Sequence, residues 1–287
     1  MKELYYNVAE HIFLLTIPKD FTTECLANYT PFHTDKTENL LFHLTIGDRE
    51  DTSGKLIGNF SNDTATIIVY SSNSGGYIFH IAPPEVKHCC IMETTADYRC
   101  AHISLKGDTR YFSFALDNCL MLLYAFTSAP CNTVMIHASV IKHKERGYLF
   151  LGKSGTGKST HSRLWLEHIS DSELLNDDNP VVRIIDDRVM VYGSPWSGKT
   201  PCYQNRKVEI GAFVRIQQKP NNSITLNSLS QSFALLKPSC STAPWDKEVH
   251  NGICDTLTII AQKTNTYTLG CRPDREAAEL CNRTVTK

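Results

Sequence analysis

The chain predicts a mixed α/β protein in two parts, a β-rich module over residues 1–130 that ends in a joining helix, and an α/β domain over residues 131–287. Three observations carry this. From Met1 to about Arg110, short β-prone runs alternate with polar breaks. From Tyr148 onward an apolar run, a glycine-rich loop and a helix-compatible stretch follow in immediate succession. A chain of 287 residues with 41% hydrophobic content is also enough for one large core or two ordinary ones.

In the first part, Ile12–Ile17, Leu40–Ile46, Thr64–Tyr70, Tyr77–Ile81 and Ala101–Leu105 read as strands. Turn clusters such as Ser71–Gly76 and Ala82-Pro83-Pro84 separate them. Phe112, Leu116, Cys119, Leu120 and Leu123 recur at helical spacing, so Phe112–Phe126 is predicted helical and closed by Ala129-Pro130. In the second part, Val134–Ile141 and Tyr148–Leu151 make a strand pair about the polar turn His143–Gly147. Lys158–Ile169 is the next helix, and Glu173–Asn176 a short buried strand that ends in Asp177-Asp178. Arg188–Tyr192, Ile210–Ile216, Leu257–Ala261 and Thr266–Leu269 are expected as strands, and Arg275–Asn282 as a terminal helix. Gln217–Asn222 is the most loop-like insert, and no internal repeat is visible.

The stretch Gly152-Lys153-Ser154-Gly155-Thr156-Gly157-Lys158-Ser159 matches each fixed position of G-x-x-x-x-G-K-[ST]. Its glycines let successive backbone N–H groups turn inward on phosphate oxygens, and the helix that follows adds the positive end of its dipole. Lys158 is expected at the β- and γ-phosphates and Ser159 on Mg²⁺, with Thr160 completing the nucleotide-binding run. Asp177-Asp178 stands where a core strand should end beside that loop, so one carboxylate would hold metal while the other accepts the proton of an attacking hydroxyl. An ordinary acidic turn before Pro180 is the alternative.

The order His137-Ala138-Ser139, then Gly152 to Thr160, then Asn176-Asp177-Asp178 resembles the HPr kinase/phosphorylase family of the phosphoenolpyruvate-carboxykinase-like superfamily. The match runs from about Val134 to Ile216. The resemblance implies a mixed-sheet P-loop kinase core with a β-module in front, ATP and Mg²⁺ as cofactors, phosphoryl transfer to a hydroxyl, and self-association as a homo-oligomer. Carried onto this chain, it implies that Lys158 and Ser159 keep their phosphate and metal roles, Asp178 is the base and Asp177 the metal-side carboxylate. His137 matches the family's strand histidine and would tune the carboxylates, against the reading of a purely structural histidine. Glu209 resembles a family glutamate near the metal, against simple surface exposure. Gly193–Lys199 looks like the Pro-Trp loop of uncharacterised relatives, with Lys199 as a mobile phosphate clamp or, alternatively, a tight turn with Trp196 plugged into the core. Thr160 and Ala138 replace an acidic residue and a glycine of the family, and Leu269–Lys287 lacks its Arg- and Asn-rich substrate signature, which argues against HPr itself as acceptor.

Composition narrows the rest. A formal net charge of -1 from 29 basic and 30 acidic residues gives no global field for nucleic acid or an anionic membrane. The longest apolar stretch, Cys119–Phe126, is far short of the ~20 residues that span a bilayer. Met1–Lys19 lacks a basic n-region and cleavage site, and eleven cysteines without a Cys-x-x-Cys suit a reducing cytoplasm. His88, Cys89, Cys90, Cys100 and His102 offer zinc-type donors but fit no standard spacing, so buried small residues are the favoured reading. The expected function is an ATP- and Mg²⁺-dependent kinase acting on a serine-like hydroxyl of a protein or a hydroxyl metabolite. A non-catalytic ATP sensor is the rival, and reversal of the reaction by phosphate a third reading.

Overall fold

In a computed structural model that describes all residues except 49–53, 62–63, 87–88 and 199, the chain divides into two units, Met1–Ser128 and Ala129–Lys287, each built on a mixed sheet.

The first unit holds β1 (Lys2–Val8), β2 (His11–Ile17), β3 (His43–Ile46), β4 (Gly54–Asn59), β5 (Thr66–Ser72), β6 (Tyr77–Ala82), β7 (Cys90–Thr94), β8 (Cys100–Leu105) and the helix α1 (Phe112–Ser128). The strands lie in the order β1-β2-β3-β8-β7-β6-β5-β4, with β2, β3 and β8 parallel and the remaining neighbours antiparallel. Ala9 and Glu10 both take positive φ, 49° and 63°, as a two-residue hairpin between right-twisted strands requires. This turn brings Lys2–Val8 into the sheet, a strand not foreseen from sequence, and β4 and β7 were not foreseen either. Phe13 stacks on Phe42 at 4.7 Å, and Leu116, Cys119, Leu120 and Leu123 of α1 are fully buried at the predicted helical spacing. Each large apolar side chain so placed contributes about 1.5–3 kcal/mol. The helical run Thr109–Cys131 has 23 residues and contains an 18-residue window of mean hydropathy 1.3, long and apolar enough to cross a membrane by those two measures alone, and that window is mostly buried in protein.

The second unit contains β9 (Thr133–Met135), β10 (Ala138–His143), β11 (Arg146–Leu151), α2 (Lys158–His168), β12 (Ser172–Asp178), β13 (Val181–Ile185), β14 (Arg188–Tyr192), β15 (Lys207–Gln218), β16 (Ser223–Leu226), α3 (Leu229–Leu236), α4 (Lys247–Lys263), β17 (Thr266–Cys271) and α5 (Arg275–Val285). Hydrogen bonds run along β12-β10-β11-β15-β14-β13-β9, and β17 extends the sheet from β15. Strands β11, β15 and β17 are parallel to one another.

The expected strand Val134–Ile141 is interrupted at Ile136-His137. Opposite it, β12 and β13 are interrupted at Asn179-Pro180. The two halves share one antiparallel register, with Ala138 opposite Asp178 and Met135 opposite Val181. Pro180 has no N–H to give to the ladder. Its carbonyl still accepts from Ile136 N–H at 3.2 Å, while His137 N–H donates to Ser239 O at 2.7 Å. The two ends of the hydrogen-bonded path are β12 and β9, and each runs on within two residues into a strand of the opposite end, β12 into β13 and β9 into β10, so the sheet curls until its ends meet along this broken ladder.

Leu257–Ala261, expected as a strand, lies inside α4. Asp246 caps that helix by accepting from Glu248 N–H and Val249 N–H, and Val249, Ile253, Leu257 and Ile260 are buried at spacings of three and four. A window of five residues hid the longer period. Trp165 of α2 is fully buried against Tyr148 and Phe150, with ring centroids at 5.3 and 5.5 Å.

Candidate functional site

The loop between β11 and α2 is shaped by its glycines. Gly152, Gly155 and Gly157 have φ of 150°, 78° and 101°, values that a side chain disfavours, and a Cβ on Gly152 would also run into Thr156 Oγ1. Thr156 closes the turn, donating to Lys153 O from both its N–H at 3.2 Å and its hydroxyl at 2.8 Å. Lys153, Ser154 and Gly155 are exposed at the rim, and Thr160 is half-buried in the first turn of α2. Helix α2 starts at Lys158, directly after Gly157, and no side chain caps its first-turn N–H groups.

Lys158 is nearly buried beneath this loop, at 9% exposure. Its Nζ donates to Gly152 O at 2.9 Å and to Lys153 O at 3.5 Å, and lies 2.9 Å from His137 Nε2. Burial pulls the ammonium below its ordinary pKa, and the charges of Asp178 and Asp177 oppose that fall. His137 Nδ1 lies 2.8 Å from Asp178 Oδ1. An ammonium can only donate, so His137 Nε2 is the acceptor and Nδ1–H the donor to Asp178. Lys158, His137 and Asp178 therefore form one unbroken hydrogen-bonded row, made where the ladder opens at His137 and Asn179.

Ser159 Oγ donates to Asp177 Oδ1 at 3.1 Å, which places two hard oxygen donors side by side at the start of α2. Asp177 is 6% exposed. Thus Asp177 and Asp178 point to different partners, one toward Ser159 and the other toward His137, as neighbours on a strand do. Asn179 donates from Nδ2 to Asp178 Oδ2 at 2.9 Å, and Gly198 N–H donates to Asp177 O at 2.6 Å. A Cβ on Gly198 would sit 2.9 Å from Asp177 O, so the glycine permits the loop to lie against the carboxylate pair. Trp196 in the same loop is buried, as the core-plug alternative expects, while Lys199 lies outside the described residues.

Glu209 is not brought to this cluster. It pairs with Arg146 at 2.7 Å, opposite the first residue of β11, whereas the glycine loop follows the last. Five residues of parallel strand separate them, about 17 Å. The sequence likeness of Val208–Gly211 missed that β15 begins well before Ile210. Of the zinc-type residues, His88 lies outside the described residues, Cys90 Sγ sits 3.5 Å from Cys119 Sγ, and His102 Nε2 lies 3.1 Å from Gly47 O. Among the described residues, no three His, Cys, Asp or Glu side chains converge as a metal site.

Sequence reading missed Asn179 and Gly198. The first was legible as the residue that follows a strand-end Asp pair and precedes a proline. The second had only its glycine identity as a signal.

The chain is similar to the Hpr(Ser) kinase/phosphatase from Coxiella burnetii, at a TM-score of 0.32 and 11% sequence identity over 53% of this chain and 88% of that one. No family model and no curated protein matches it.

Proposed function

We propose that the Ala129–Lys287 unit binds a nucleoside triphosphate through a P-loop and transfers its terminal phosphoryl group to a hydroxyl. The observation that carries this is the hydrogen-bonded row Lys158–His137–Asp178, which connects the phosphate end of the glycine loop to a carboxylate suited to deprotonate an acceptor.

The loop N–H groups cradle the phosphates, and Lys158 turns from Gly152 O to the β- and γ-phosphate oxygens. Asp178 receives the proton of the attacking hydroxyl. His137 donates from Nδ1–H to Asp178 and fixes the direction in which the carboxylate faces. Ser159 and Asp177 are the oxygen donors that fit Mg²⁺, which when bound neutralises phosphate charge. Positioning and electrostatics supply most of the rate in this chemistry, so few groups suffice. The acceptor is a serine-like hydroxyl on a protein or a hydroxyl metabolite.

The test is ATP turnover by purified protein with Mg²⁺, alone and with free serine, hydroxy-metabolites and cell extract, beside Lys158→Ala. Labelled product that disappears in the variant supports the kinase. ATP binding without turnover in every condition favours the sensor, and no ATP binding at all overturns both.

A further inference from the structure

We infer that a cavity on the far flank of the glycine loop from Asp178 takes the base of a purine nucleotide, with Arg272 as the face on which that base stacks. This rests on the reading of the loop as a phosphate site and fixes which way the nucleotide lies across it.

The cavity has a volume of about 520 Å³, within the range of small-molecule sites. Gly155, Thr156 and Gly157 border it on one side, and Leu164 and Ile216 supply apolar surface. The last residue of β15, Gln218, and the segments that follow β15 and β17, including Arg272-Pro273, form its other walls. Because β11, β15 and β17 are parallel, their carboxyl ends open on one edge, where ligands of such sheets bind. A group bound here is continuous with the loop's phosphate cradle, but on the side away from the His137–Asp178 pair. The larger part of its surface is apolar, with Lys219 as a second cation beside Arg272, which suits a base carried on a phosphate chain.

Arg272 decides the class of ligand. Its Nε donates to Asp274 Oδ2 at 3.0 Å, and one terminal nitrogen lies 3.5 Å from Glu276 Oε2. Its backbone N–H donates to Asn222 Oδ1 at 2.9 Å, and Asn222 Nδ2 in turn donates to the same two carboxylates. Two of the five guanidinium N–H groups are thus directed at carboxylates, which balance its charge. What it offers a ligand is its plane, which attracts an aromatic face. Gln218 Nε2 donates to Gly155 O at 3.3 Å and ties the opposite wall to the loop, so the subsite is formed before a ligand arrives.

Calorimetric titration of the full chain with ATP, GTP, CTP and inorganic tripolyphosphate, each with Mg²⁺, tests this. The expected result is tighter binding of ATP and GTP than of CTP or tripolyphosphate. Arg272→Ala and Arg272→Lys should each weaken ATP about tenfold and leave tripolyphosphate unchanged, since lysine keeps the charge but not the plane. Arg272 is 54% exposed in its side chain, so both variants are expected to fold. Tripolyphosphate binding as tightly as ATP in the unaltered protein, or an ATP affinity that Arg272→Ala leaves intact, overturns the base subsite alone. A chain that binds none of the four overturns the phosphate reading with it.

Discussion

Asp178→Asn separates the proposed chemistry from binding. In the unaltered chain Asp178 Oδ1 accepts from His137 Nδ1 at 2.8 Å, and Oδ2 accepts from Asn179 Nδ2 at 2.9 Å. Asparagine has the same shape. Its oxygen can keep the His137 bond, and its NH₂ then faces Asn179, whose amide turns over to present oxygen. Both bonds survive as neutral ones, each about 1 kcal/mol weaker than its charge-assisted form, so the fold should lose about 1–2 kcal/mol at most. The chemical step loses its proton acceptor, an expected fall of about 10²–10⁴-fold, or roughly 3–5 kcal/mol of barrier. ATP affinity should hold or rise, because a negative charge near the phosphates is gone. The assay is transfer of labelled γ-phosphate from ATP to whichever acceptor class responds, with calorimetric ATP titration and thermal melting on the same preparations. An unchanged transfer rate in a folded variant refutes Asp178 as base. A loss of ATP binding equal to the loss of rate refutes the division of labour between the two aspartates.

Two further perturbations test the packing. Gly252 lies inside α4, where alanine ordinarily adds up to about 1 kcal/mol, but its Cβ would stand 2.6 Å from Ala129 O and 2.7 Å from Ala129 C. Gly252→Ala should therefore destabilise by about 1–2 kcal/mol net, and a raised melting temperature would show that α4 is not packed against that backbone. In the first unit, burial pushes the Asp117 carboxyl up to about 6 from 3.8. The folded chain then holds this proton more tightly than the unfolded one, so the contribution is complete below about pH 4 and is lost as pH rises to about 6, at most about 3 kcal/mol. Asp117→Asn should remove that decline from a denaturant-derived stability profile over pH 4–7, and identical profiles would contradict it.

Much of the site was legible because its residues are constrained locally. A loop that must turn at Gly152, Gly155 and Gly157 reveals itself by composition, and Lys158, Ser159 and the Asp177-Asp178 pair follow at short range. Glu209 failed because its position depends on where a long strand starts in a parallel pairing, which no local pattern encodes. The same limit explains the strands. Arg188–Tyr192 was read with its observed bounds, since Asp186 and Asp187, at φ of 47° and 64°, mark the turn before it. Val181–Ile185, equally β-branched on the other side of that turn, could have been found by asking what the turn connects. The break in Val134–Ile141 could not, because its cause is Pro180, more than forty residues later.

That broken ladder has a consequence for errors in folding. Side chains alternate across a strand, so a slip of one residue between 133–143 and 172–185 would turn His137 to the opposite face and leave Ile136 or Ala138 beside the carboxylates. No such neighbour can donate to Asp178 or receive Lys158. A misregistered molecule would thus lack the Lys158–His137–Asp178 row altogether, and the appearance of the His137–Asp178 contact would report that the curled sheet had closed correctly all the way round.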